Sequence, residues 1–149
     1  MTEYVISIIT ACVSTFGFAL LFRVDMKYIW WATLGGGVSW AVYLIVEMFV
    51  PSIFISAIAS AVVATVYSEM LAYIRRTPTT VFLIPALIPM VPGGSLYYTM
   101  SNLLVKDYTA AAQKGIATVE VMLGLSGGVV AASLVVYAVR HIRKSKKCK

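Results

Sequence analysis

Apolar residues fall into five long runs, at about residues 4–22, 28–50, 52–74, 77–102 and 116–139, and charges gather between them. Arg23, Asp25 and Lys27 close the first run, Arg75 and Arg76 the third, Lys106 and Asp107 follow the fourth, and Arg140 opens a basic tail. A run of about nineteen residues reaches across roughly 30 Å of hydrocarbon at about 1.5 Å per residue, so each run has the length of a membrane span. Trp30 and Trp31 at the start of the second run suit the headgroup boundary. Pro51 ends that run and the third follows after almost no loop, which predicts a tight antiparallel hairpin.

The fourth run, TPTTVFLIPALIPMVPGGSLYYTMSN, has the length of a span and the wrong residues for a continuous helix. Pro85, Pro89 and Pro92 each lack a backbone donor and crowd the carbonyl four residues earlier, and Gly93 and Gly94 follow at once. The pattern therefore predicts an all-α integral membrane protein of about five transmembrane helices, the fourth broken by Pro85, Pro89 and Pro92-Gly93-Gly94. Hydrocarbon offers no water to freed amides and carbonyls, so such backbone is tolerated only against protein or an aqueous cavity. Transporters place substrate sites in that setting. Pro89, Pro92, Gly93, Gly94, Ser95, Leu96 and Tyr97 are thus candidate substrate-binding residues, with the amides from Gly93 to Leu96 facing a substrate carboxylate at the positive end of a half-helix. The competing reading is a proline-kinked span whose glycines serve packing.

Composition agrees with a membrane chain: of 149 residues, 60% are hydrophobic and 12% charged. We expect one transmembrane domain over residues 1–149, ending in a short basic tail at 140–149. The net charge of +6 does not point to nucleic acid, because half of the twelve basic residues lie from Arg140 onward, where topology and anionic headgroups explain them. Five crossings put Arg23, Lys27, Arg75, Arg76 and six tail residues on one side, against Lys106 and Lys114 on the other. A re-entrant fourth run would split the twelve six and six. The positive-inside bias favours five crossings, with the N-terminus outside and the tail in the cytoplasm. Glu3 and the lack of a basic residue before the first run favour a retained span over a signal peptide. Cys12 and Cys148 fall at different depths, so no disulfide or metal site is expected, and no cofactor motif is present.

Only six acidic residues exist, and Glu47, Glu69 and Glu120 fall within apolar runs. A carboxylate at depth is costly and should face protein or water, which makes these three the candidates for proton coupling or ion pairing. Each shares a helical row with small residues. Glu69 follows Ala57, Ala61 and Thr65; Glu120 precedes Gly124, Gly128 and Ala132; Glu47 follows Gly35, Ser39 and Tyr43. Gly124 and Gly128 form a G-x-x-x-G pair, so the faces expected to pack closest carry the acids. An ion pair of Glu69 with Arg75 or Arg76 is the structural alternative, and Glu47 and Glu120 lie near enough to span ends to reach the interface. Tyr97 and Tyr98 read equally as interface anchors, and His141 as a headgroup-facing residue. Gly35, Gly36 and Gly37 suit helix packing rather than phosphate binding. No nucleophile, base and oxyanion set can be assembled, so an enzyme is not expected.

The stretch YSEMLAYIRRTPTTVFLIPALIPMVPGGSLYY, residues 67–98, resembles the signature of the membrane-only small subunit of the threonine/serine exporter family. The family motif I-P-L-V-P-G-G-x-L-Y is read here as Ile88, Pro89, Met90, Val91, Pro92, Gly93, Gly94, Ser95, Leu96 and Tyr97. Glu69, Leu71, Ala72, Arg75 and Pro78 match the approach to it, and Gly36 with Trp40 resembles the family's glycine and tryptophan pattern. Tyr98 departs, standing where relatives often carry an arginine. The resemblance implies a half-transporter in the bacterial inner membrane, working with a larger subunit that carries a cytoplasmic domain and its own spans. It implies proton-motive export of threonine and serine, with one branch handling succinate. Assembly with a second copy is a further expectation, and a non-transporting scaffold subunit is the alternative function.

Overall fold

The computed structural model describes residues 2–147, and every element among them is helical. In order these are α1 (Thr2–Leu21), α2 (Met26–Phe49), α3 (Ile53–Arg75), α4 (Thr80–Leu87), a 3₁₀ turn (Ile88–Met90), α5 (Gly93–Leu104) and α6 (Tyr108–Lys147). Four helices are long and apolar enough to cross a membrane, and the bent pair Thr80–Met90 plus Gly93–Leu104 makes a fifth span if counted as one. The chain is an all-α integral membrane protein. Many of its serines and threonines follow the rule for such a solvent, returning their hydroxyls to carbonyls of the preceding turn: Thr15 to Ala11 at 2.8 Å, Thr33 to Ile29 at 2.9 Å, Thr65 to Ala61 at 2.7 Å.

Glycine and alanine set the packing. A methyl group on Gly36 would fall inside Thr15 of α1, and one on Gly37 would lie 2.6 Å from Cys12 Sγ. Trp40 Nε1 donates to Ser7 Oγ at 2.8 Å, so Gly36 and Trp40 both serve the α1–α2 contact. On the other side of α2, Gly35 lies under the Tyr67 ring and beside Ala86, and the Tyr67 hydroxyl donates to the Trp31 carbonyl at 2.9 Å. Tyr28 meets Phe82 edge-on at 5.7 Å. Tyr28 with Phe82 and Gly35 with Ala86 make α2 and α4 run in the same direction.

The expected G-x-x-x-G contact forms between α3 and α6. A Cβ on Gly124 would sit 2.8 Å from that of Ala57 and 2.9 Å from the Phe54 carbonyl. One on Gly128 would sit 2.8 Å from Ala61 Cβ and 2.8 Å from the Ile58 carbonyl. Further along the seam Glu69 meets Arg140 at 2.9 Å. Residue numbers climb together on both helices, so α3 and α6 are parallel. The chain must therefore return the length of the seam between them, and the bent α4–α5 pair makes that return as a crossing.

Two boundaries differ from the sequence reading. The last helix starts at Tyr108, earlier than residue 116, because Asp107 caps it: its carboxylate accepts from the Ala110 amide at 3.1 Å and the Thr109 hydroxyl at 2.8 Å. Those two donors hold the Asp107 carboxyl below the ordinary carboxylate range. At the other end, α6 runs past residue 139 and carries the basic stretch from Arg140 as helix through Lys147; Cys148 and Lys149 lie outside the described residues.

The seam yields a paired prediction. Alanine raises helix propensity over glycine by about 1 kcal/mol, while forcing a methyl into a filled contact costs about 1–3 kcal/mol. Gly128→Ala should lower the unfolding temperature in detergent, because the clash is with backbone. Gly127→Ala, which meets nothing within 4 Å, should leave it unchanged or raised. Equal behaviour of the two variants would refute this packing.

Candidate functional site

The break is narrower than three prolines suggest. Pro85 is absorbed within α4, where it is buried and where only the Val81 carbonyl loses its donor. Ile88, before Pro89, also stays helical at φ −56, ψ −43. Only Val91, before Pro92, turns extended at φ −61, ψ 125, and Pro92 itself sits at φ −77, ψ 53. A residue before proline is always pushed towards the extended region. Ala86 and Leu87 after Pro85 are good helix formers, and α4 and the 3₁₀ turn pack on α1 and α2, whereas after Pro92 a Gly-Gly pair follows and continuing the helix gains least. The segments then meet at 46°.

Where the backbone bends, its hydrogen bonds are only partly remade. The Ile88 carbonyl, deprived of Pro92 as donor, accepts from Val91 at 3.1 Å; Gly93 donates to Val91 at 2.7 Å and Leu96 to Pro92 at 3.0 Å. Among the described residues the amides of Gly94 and Ser95 have no acceptor. The sequence reading of a free run from Gly93 to Leu96 thus narrows to two amides. Nothing lies within 4 Å of a Cβ built on Gly93 or Gly94. Leu96 and Tyr97 are exposed at 47% and 68%, Ser95 and Pro92 are half-buried, and Pro89 lies half-buried in the 3₁₀ turn.

The depth of the break follows from the register. Ala86 is level with Tyr67, about 21 Å along α3 from its start, and Val91 comes about 7 Å back towards that start, near the middle of the bundle. From there α5 leaves the core. It has no buried residue and packs chiefly on α6, where a Cβ built on Gly115 would meet Thr99 Cγ2 at 3.5 Å. Between them runs an apolar groove of about 510 Å³, lined by Thr99, Leu103, Tyr108, Gly115 and Glu120 among others.

The three carboxylates do not converge on the break. Glu69, 19% exposed, accepts from the Arg140 guanidinium at 2.9 Å; the same nitrogen donates to the Glu69 carbonyl at 2.8 Å, and the guanidinium lies 5.5 Å from the Tyr73 ring centre. The partner is therefore Arg140 of α6 rather than Arg75 or Arg76. Arg75 stacks instead on Trp31 at 5.0 Å, and Arg76 ends α3 in the left-handed region at φ 52. Glu47 is exposed near the end of α2, and Glu120 is exposed on the groove.

Two features carried no sequence signal. Arg140 pairs with a residue 71 positions away, which no local spacing reveals. Ser39, fully buried in α2 one turn beyond Gly35 and level with the 3₁₀ turn, has a hydroxyl without a partner among the described residues.

Several apolar crossings, a span broken at mid-depth and one carboxylate, Glu69, on the α3–α6 seam describe a multi-pass membrane protein. A family model described as "Threonine/Serine exporter, ThrE" matches residues 7–135, and the chain belongs to that family. The family is one of transporters, not an enzyme class. Searches of curated proteins and of solved structures find no significant match.

Because space around Gly94 is open and its φ is not positive, Gly94→Ala should not lower the unfolding temperature of the isolated chain in detergent. A fall of several degrees would mean that the glycine serves the fold of this chain, not something that docks on it.

Proposed function

We propose that this chain is the membrane subunit of a secondary exporter of small amino or carboxylic acids of the threonine/serine type. It is driven by the proton-motive force and works with a larger subunit that carries a cytoplasmic domain. It lies in the bacterial inner membrane with its N-terminus outside and its C-terminus cytoplasmic, an orientation supported by the ten-to-two division of basic residues between the ends of the five crossings. The observation that carries this reading is the pair of acceptorless amides near mid-bundle, at exposed Gly94 and half-buried Ser95. Lipid cannot satisfy an amide there, and a polar group has to. A substrate carboxylate meets both needs, because the start of α5 supplies two N–H donors and the partial positive charge of the helix dipole.

Glu69 is the group we assign to the coupling proton or the substrate ammonium. It lies more than about 10 Å from the break along the bundle axis, a span longer than serine or threonine, so the two places act in succession rather than on one bound molecule. Glu69 stands nearer the cytoplasmic end and is met first during export.

Uptake into inverted vesicles tests the assignment. Glu69→Gln should abolish proton-coupled serine and threonine transport while the subunits still assemble, and normal coupled transport by that variant would remove Glu69 from the mechanism.

One observation favours the scaffold reading: α5 packs chiefly on α6 and buries none of its residues within this chain. The two readings part on Gly94→Ala. A transport site predicts that substrate binding falls while co-purification of the larger subunit is retained; a scaffold predicts the reverse.

A further inference from the structure

Arg140 reaches Glu69 across the α3–α6 seam and makes three contacts with α3: the carboxylate at 2.9 Å, the Glu69 carbonyl at 2.8 Å and the Tyr73 ring at 5.5 Å. Among the described residues no other cation pairs with Glu69. On the α6 side its neighbours in the same turns are Tyr137 and His141, which stack on each other at 6.3 Å. The pair is not a sealed core strut. Glu69 is 19% exposed and Arg140 43%, so both side chains reach the surface of the chain and neither is enclosed by it. Breaking a fully buried ion pair strands a desolvated charge and is costly, whereas pairs with a solvent-facing partner contribute little. An interaction of the second kind can be exchanged within a transport cycle, and one of the first kind cannot.

We propose that Arg140 is a positioning residue of transport: the cation that holds the Glu69 carboxylate until the ammonium of the exported amino acid takes its place. This rests on the assignment of Glu69 to the transport path made above. On exchange the Glu69–Arg140 ion pair opens and a substrate–Glu69 ion pair forms, so charge is conserved and no covalent bond changes. The carbonyl of Glu69 and the face of Tyr73 hold the guanidinium on α3 meanwhile, ready to reclaim the carboxylate when the substrate moves towards the break. Arg140 thus keeps the Glu69 carboxylate paired between cycles, and it sets how strongly an ammonium must bind to enter.

Kinetics in inverted vesicles containing the assembled transporter test this. Arg140→Gln removes the competing cation and should lower the KM for serine or threonine about two- to fivefold, the range an exchangeable pair of this exposure permits. It should also lower kcat, because the bound ammonium is no longer displaced. Arg140→Lys should bring both values back towards the native ones. Inhibition by 3-hydroxypropanoate, which has serine's carboxylate and hydroxyl but no ammonium, should be the same in both variants. The exchanged pair Glu69→Arg with Arg140→Glu should keep the native unfolding temperature and not transport. An unchanged KM in Arg140→Gln, or native transport by the exchanged pair, overturns the proposal and leaves Arg140 a strut. Native vesicles that move neither serine nor threonine overturn the proposed function itself, a different result.

Discussion

A peptide amide in hydrocarbon has to find an acceptor within the protein or bring water with it, and the fold follows from meeting that requirement almost everywhere. Hydroxyls fold back onto the preceding turn, Asp107 caps α6, and the Trp40 indole finds Ser7. Helix ends close on left-handed Arg23, Arg76 and Lys106, each a cation beside the carbonyls it terminates. Against that background two consecutive amides at the start of α5, near mid-bundle, stand out together with the buried Ser39 hydroxyl. The free amides arise because an extended residue before Pro92 coincides with a glycine pair, two effects that separately leave Pro85 and Pro89 inside helical backbone.

The second constraint is steric. With lipid on every outer surface, apolar burial gives little reason for helices to prefer one another, so close backbone approach has to supply the attraction. Gly124 and Gly128 admit Ala57 and Ala61 to distances that no larger residue permits. That contact aligns α3 and α6 in parallel and thereby forces the bent pair to cross. It also continues to Glu69 and Arg140, so the row that draws the helices together ends in the one ion pair that joins two helices among the described residues.

Much of this was legible in the chain. The runs of apolar residues marked the spans, the row Ala57-Ala61-Thr65-Glu69 marked a close face, and Gly124 with Gly128 marked its counterpart. That the two rows would meet each other was not legible, since small residues advertise proximity without naming a partner; Gly35, Gly36 and Gly37 look alike in sequence, yet one faces Tyr67 and two face α1. The break was visible but its position was not, because three prolines look equally disruptive until the packing around each is known. Arg140 was hidden for a different reason. As the first residue of a basic stretch it had a sufficient explanation in topology, and a long-range pair leaves no periodic trace. The start of α6 was missed by weighing hydropathy over capping: Asp-Tyr-Thr-Ala is a helix start whatever its polarity.

The geometry of α5 bears on how the proposed exporter is completed. A site that holds a zwitterion in a bilayer needs walls that exclude lipid, and α5 supplies one wall together chiefly with α6. The side that bears Gly93 and Gly94 is open, and the bundle of α1 to α4 turns away from it at the bend. Lipid is a poor cover for free amides, and glycine admits a neighbouring backbone more closely than any other residue. Under the proposed function the missing wall is therefore a helix of the larger subunit, crossing near Gly94 with the substrate between them. On that arrangement the carboxylate site would exist only in the assembled transporter, while the Glu69–Arg140 pair, formed wholly within this chain, would persist without it.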